Sequence, residues 1–155
     1  MSSEHLTQLL EQETELQFVQ FNNEIAWNLG YAIKLKAEEL AASVVIEIYA
    51  FEQVLFSYAM PETNKDNQCW AKRKRQSVLR YGHSSYYLGQ YNSFKQREFE
   101  RLAHIDAKEY CDHGGAFPIR IIGSGLVGTI TVSGLPQEED HNLVVNTLRD
   151  YFSEE

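Results

Sequence analysis

A chain of 155 residues with 22 acidic and 14 basic side chains carries a formal net charge of -8 at pH 7, a balance that repels phosphate backbones and argues against nucleic acid as a partner. Its 43% hydrophobic and 12% aromatic residues are enough for one packed core and exclude wholesale disorder. No stretch approaches the ~20 apolar residues of a membrane span, and Met1 to Gln12 lacks the apolar centre of a secretory signal.

The expectation is a single domain over residues 1–155, cytoplasmic and without a membrane partner. Cys69 and Cys111 are too few and too far apart for a disulfide scaffold or a zinc knuckle, so both are expected as free, buried thiols. No repeat or Gly/Ser/Pro-rich linker divides the chain.

From Leu6 to about Ala42, apolar residues recur at helical spacing, among them Ile25, Leu29, Ile33 and Leu40. Asn22-Asn23 beside Phe18, Val19 and Phe21 predicts a break between two helices, because asparagine caps helices better than it continues them. Val44 to Tyr49 is β-branched, with Val44, Ile46 and Ile48 on one face, and Val54 to Met60 follows as a second strand. The short Phe51-Glu52-Gln53 link makes the two strands an antiparallel hairpin, since a parallel pair needs a crossover of roughly a dozen residues.

Asn64 to Tyr81 reads as an amphipathic helix stopped near Gly82. Its basic run, Lys72-Arg73-Lys74-Arg75, spreads over all faces of a helix. It reads first as a solvated surface, with an anion or partner patch as the sharper alternative. His83 to Gly89 either extends that helix or lines a pocket, and Arg97 to Tyr110 is predicted as a further helix. Ala116 to Ile122 and Leu126 to Ser133, joined at Gly123-Ser124-Gly125, form a second hairpin. The last helix starts at Pro136, carries Glu138, Glu139 and Asp140 in its first turn, and buries Leu143, Val144, Leu148 and Phe152. The fold class is α+β, with two hairpins joined in one central antiparallel sheet and helices packed around it.

One stretch is more specific than periodicity. It runs His113-Gly114-Gly115-Ala116-Phe117-Pro118-Ile119 and then Val127-Gly128-Thr129-Ile130-Thr131-Val132-Ser133-Gly134-Leu135-Pro136-Gln137-Glu138-Glu139-Asp140-His141. This pattern resembles the haem-degrading-domain superfamily, which holds the GlcG proteins, the HbpS sensors and the C-terminal domain of PduO. Phe117-Pro118-Ile119, the run from Val132 to Gln137 and Asp140-His141 look like its UPF branch of short proteins. Asn67, Trp70, Lys72, Lys74 and His83-Ser84-Ser85-Tyr86 extend the likeness over about residues 28–152. The resemblance implies a central antiparallel sheet in profilin-like layers, homodimers or larger rings, and a capacity to bind haem.

The residues themselves leave the chemistry open. Gly114 and Gly115 suit a tight turn or a backbone wall against a ligand. His83 and His113 stand out among five histidines, because imidazole ligates iron and titrates near neutrality, although a plain hydrogen bond is its commoner fate. His5 is expected to be terminal and disordered. No His/Cys spacing suggests zinc, no phosphate loop or nucleophile elbow occurs, and Ser133 has no visible base. The acidic trio at 138–140 reads first as a partner of the helix dipole, with a metal-binding or interface role as the sharper alternative. Trp70, Tyr81, Tyr86, Tyr87 and Tyr91 suit a core or subunit interface first and the wall of a flat ligand second.

The leading expectation is a homo-oligomeric small-molecule-binding protein, its pocket lying where the Gly114-Gly115 turn meets the His83 segment. Haem is the ligand the resemblance offers. His83 or His113 would then be the axial ligand, with Lys72, Arg73, Arg75 or Arg80 beside the propionates. An inert scaffold that presents its charged helices to a protein partner is the alternative. An enzyme using His113 as acid or base is a third possibility.

Overall fold

The computed structural model describes residues 3–154. Helices α1 (Ser3–Glu15) and α2 (Asn23–Glu39) come first, then strands β1 (Val45–Ala50) and β2 (Gln53–Ala59), and then helices α3 (Lys65–Tyr81) and α4 (Ser85–Phe94). Strands β3 (Ala116–Ile121) and β4 (Gly125–Ser133) precede the last helix, α5 (Gln137–Ser153). The strands form one antiparallel sheet in the order β2-β1-β4-β3, so both hairpins join a single sheet as their sequences imply.

The break between α1 and α2 falls where Asn22 accepts a hydrogen bond from the amide of Ile25. In the same way Asn64 and Asn67 close a reciprocal capping box on α3, which Gly82 ends in the left-handed conformation at φ 77°. The first hairpin turns on Phe51 and Glu52, both at positive φ (54° and 65°), the signature of a two-residue turn whose twist matches its strands. Pro136 is the cap of α5 rather than its first residue, one position earlier than its sequence suggests.

Strand alternation sorts the side chains into two layers. Ile46 and Ile48 of β1, Ile130 and Val132 of β4, and Phe117 and Ile119 of β3 face α2 and α5, where Leu29, Ile33, Val144 and Leu148 complete the core. Each fully buried aliphatic or phenyl group here contributes roughly 1.5–3 kcal/mol. The opposite face, covered by α3, is polar. Glu47, Thr129, Thr131 and Ser133 lie there beneath Lys74, Arg75 and Ser77. Arg75 pairs with Glu47 at 3.0 Å without an aligned hydrogen bond, and burial pushes the Glu47 carboxyl up against the pull of that guanidinium.

The two sheet edges differ. Phe18 bridges the outer side of β3, its amide bonding to Arg120 O at 2.8 Å and its carbonyl accepting from Ile122 N at 2.9 Å. The outer side of β2 has no such cover among the described residues. No described helix is long and apolar enough to cross a membrane.

Three expectations are corrected. Residues 97–110 form only one 3-10 turn, Phe99–Arg101, followed by turns. The Asp106 carboxylate accepts from Lys108 N at 2.9 Å, a local bond that competes with the helix, and Glu98 supplies no side-chain cap. His5 belongs to α1 and packs edge-on against Tyr86 at 6.1 Å. Cys111 is buried as expected, whereas Cys69 is exposed on the solvent side of α3.

Candidate functional site

Two clefts gather the residues that the sequence marks. The first lies between the start of α3, the β4–α5 connection and the His113 loop. It encloses about 240 Å³, with Asn67, Trp70, Lys74, His113, Ser133 and Gln137 in its walls. At its floor the ammonium of Lys74, only 4% exposed, donates to Asp140 Oδ2 at 3.0 Å and to Val132 O at 3.1 Å. Asp140 is 1% exposed and also accepts from Leu135 N at 2.9 Å and Gly134 N at 3.3 Å. Burial pushes its carboxyl up, while Lys74 and the two amides oppose the rise. The acidic start of α5 is thus not uniform: Glu139 faces solvent, Glu138 is exposed yet accepts from the Tyr86 phenol, and Asp140 is a buried counter-ion.

The paired glycines shape this floor. A Cβ on Gly115, whose φ is +139°, would stand 2.3 Å from Val132 O and 2.8 Å from Lys74 Nζ; one on Gly114 would meet Gln137 O at 2.6 Å and the Tyr86 ring at 2.8 Å. The glycine turn and the His83 segment therefore do meet, through Gly114 and Tyr86, but in close packing rather than around a space. Gly114 N also donates to Gln137 Oε1 at 2.9 Å. His113 is exposed and lies 4.8 Å from the Trp70 ring, which carries Arg73 at 4.4 Å. Burial raises the Cys111 thiol despite Arg73 and Lys74 nearby, which keeps it protonated and unreactive.

The second cleft lies on α4, with an enclosed volume of about 340 Å³ walled by Tyr81, His83, Tyr87, Tyr91, Phe99 and His104. Ser84 caps α4 by accepting from Tyr87 N at 3.1 Å. Buried Glu13 of α1 reaches in, taking Ser84 N at 3.1 Å through one oxygen and holding His83 Nδ1 at 3.0 Å with the other. His83 lies 5.0 Å from Tyr87, which stacks on Tyr91 at 5.9 Å. Burial, then Tyr91 and Glu13, push the Tyr87 phenol up, so it stays neutral.

The five residues singled out in the sequence thus separate. His113 lines the first cleft with Gly114 and Gly115 packed behind its floor, His83 lines the second, and Arg75 lines neither, since it lies over Tyr49 and beside Glu47. Sequence reading missed Lys74, Asp140 and Glu13 as site builders. The signal for Lys74 was available: Ala71, Lys74 and Val78 repeat at three and four positions, which places the lysine on the buried stripe. Another surprise is His141, 1% exposed, which bonds to Gln12 Oε1 at 2.8 Å through Nε2 while its Nδ1 has no hydrogen-bond partner among the described residues. Desolvation, then Arg149 and His5, lower its pKa to about 4.

A four-stranded antiparallel sheet with helices on both faces defines an α+β fold of the kind seen in HbpS. A family profile described as haem degrading protein HbpS-like matches residues 21–149, and the chain belongs to that family. It is 63% identical over 145 residues to a UPF0303 protein of Psychromonas ingrahamii, covering 94% of this chain and 91% of the relative. Among solved structures, the Ybr137w protein superposes with a TM-score of 0.89 at 32% identity, covering 96% of this chain and 88% of that one. A PduOC:Heme complex shares the fold, with a TM-score of 0.70 at 16% identity over 85% of this chain and 94% of that one.

Proposed function

We propose that this protein is a homo-oligomeric binder of a flat, largely apolar ligand, with haem as the cofactor that fits, held in the cleft of α4 and not beside His113. The observation that carries this reading is the pairing of His83 with buried Glu13. A carboxylate accepts only, so in the neutral ring it keeps the proton on Nδ1 and leaves the Nε2 lone pair free for iron. Tyr87 is a poor competitor, because its phenol resists ionisation.

The fit to haem differs between the clefts. The His113 cleft is polar, measures only about 240 Å³ and spends its one buried cation on Asp140. The His83 cleft has aromatic walls, Leu88 and Leu102 at its base and Arg97 on its lining. Its 340 Å³ stands at the small end of the ligand-pocket range of about 300–1,000 Å³, so one edge of a macrocycle would remain outside. There His83 would hold the iron and Arg97 a propionate, and the group would supply redox chemistry that the side chains lack.

Oligomerisation goes with this reading. The open edge of β2 supports it, because Val54, Tyr58, Trp27 and Tyr31 stand exposed around that strand, and a second copy could add its own β2 antiparallel. Free Cys69 and Cys111 suit a reducing, cytoplasmic setting.

Hemin titration followed by Soret absorbance tests the proposal. A saturable shift at micromolar hemin, lost in His83→Ala and kept in His113→Ala, is expected. No shift, or a shift that His113→Ala abolishes, overturns it.

A further inference from the structure

The cleft above the Lys74–Asp140 pair has an unequal supply of hydrogen-bonding groups. Its amide acceptors are already used within the protein. Asn67 Oδ1 takes the backbone amide of Asn64 at 2.9 Å, and Gln137 Oε1 takes that of Gly114 at 2.9 Å. Because a backbone N–H can only donate, both side-chain amides are fixed in orientation, and each keeps its NH2 group for another partner. Asp140 is similarly spent on Lys74, Gly134 and Leu135.

Donors remain. An ammonium carries three protons, and Lys74 has two protein acceptors, Asp140 and Val132. The hydroxyl of Ser133, a residue only 3% exposed, lines the cleft and makes no hydrogen bond within the described residues. Apart from the exposed Asp66 carboxylate in its wall, the pocket has spent acceptors and unspent donors, and so is complementary to a ligand that brings acceptors.

We infer that this cleft is a second binding site, distinct from the His83 cleft, and that it takes a small monocarboxylate. A planar carboxylate offers about four lone-pair sites on two oxygens, enough to meet one free proton from each of Lys74, Ser133, Asn67 and Gln137. The charge of Lys74 is balanced by Asp140, and the carboxylate of Asp66 stands in the cleft wall. Both features disfavour a dianion far more than a monoanion, so inorganic phosphate is the contrasting anion. About 240 Å³ holds a group of a few heavy atoms, the carboxylate end of the ligand.

The test uses the full chain and sodium acetate as the probe. Trp27 and Trp70 are the two tryptophans, so Trp27→Phe leaves Trp70, in the cleft wall, as the sole indole reporter. Acetate is titrated against its fluorescence, with chloride and phosphate at matched ionic strength. Saturable quenching or enhancement by acetate is expected, with no saturation by chloride and at least about tenfold weaker binding of phosphate.

Asn67→Asp and Gln137→Glu keep the oxygen that holds the backbone amide but exchange the free NH2 for an anionic oxygen. Each should weaken acetate by about tenfold or more while leaving the thermal melt and the hemin titration in place. Absence of saturation by acetate in the Trp27→Phe protein overturns the inference without recourse to either variant. Equal binding of phosphate, or undiminished acetate binding in a folded variant, overturns it too. The hemin experiment reads the other cleft, so the two proposals fail independently.

Discussion

Lys74 in the middle of α3 and Asp140 in the first turn of α5 are joined at 3.0 Å across the top of the sheet, with side chains only 5% and 1% exposed. Both charges depend mainly on each other, with only the narrow cleft above them open to water. Breaking such a buried pair from one side costs about 3–5 kcal/mol, most of it the penalty of the abandoned partner. Lys74→Met should therefore lose that much in urea denaturation at pH 7. Lys74→Met combined with Asp140→Asn, which keeps an acceptor for Leu135 N, should recover more than half of it. A double variant as unstable as the single one would show that the lysine stem, and not the charge pair, is what matters.

The stability of the fold should fall in mild acid because of His141. Its folded pKa is about 4 against the ordinary histidine value of 6.5, so the unfolded chain binds the proton more readily. The neutral imidazole's contribution is complete above pH 6.5 and drains away as pH falls toward 4, at up to about 1.4 kcal/mol per pH unit and about 3 kcal/mol in all. Glu47, Asp112 and Asp140 have raised values and slope the other way, since their cost of ionisation appears as pH rises. The difference in stability between His141→Gln and the parent, measured from pH 4 to 7.5, isolates the histidine. Parallel curves would refute its titration.

Gly115→Ala should be among the most damaging single-methyl changes. The added carbon meets Val132 O at 2.3 Å and the Lys74 ammonium at 2.8 Å, on a backbone at φ +139°. A loss of about 3 kcal/mol or more is expected from clash and strain together. Gly123→Ala is the control, because its Cβ meets nothing within 4 Å and only the cost of a positive φ, about 1–2 kcal/mol, applies. Melting temperatures of the two variants should differ in that order.

If β2 is where copies join, charge on that strand should separate them. Val54→Lys with Tyr58→Lys places two ammonium groups on the exposed edge, the device by which natural sheets avoid pairing. Light scattering after size exclusion should then give the mass of one chain, with unchanged far-UV circular dichroism. An unaltered assembly would move the interface elsewhere.

The sheet was legible because β1 and β4 bury one face of alternating Ile and Val and their turns are too short for any crossover. Helix limits at Asn22, Asn64 and Gly82 were legible because capping chemistry is local. Residues 97–110 misled, since Phe99, Leu102 and Ile105 repeat at three positions yet only Phe99 is buried; the segment is tied down instead by Arg80 and Tyr81 to His104 and by Arg97 to Asn92. The separation of His83 from His113 is a tertiary fact with no local trace. It follows from Tyr86 filling the space between α4 and the glycine turn. The basic run at 72–75 divides on the helix, with Lys72 in solvent, Lys74 buried and Arg75 on β1.

Consecutive residues of α4 face different chambers. Tyr86 rests on Gly114, whose amide fixes Gln137, while Tyr87 rests on His83. A single turn of helix thus separates the aromatic room of His83 from the glycine turn behind the polar room. If filling one side displaced that turn, the effect would be equal in both directions, so a tenant of the aromatic room and a tenant of the polar room should be measured together as well as apart.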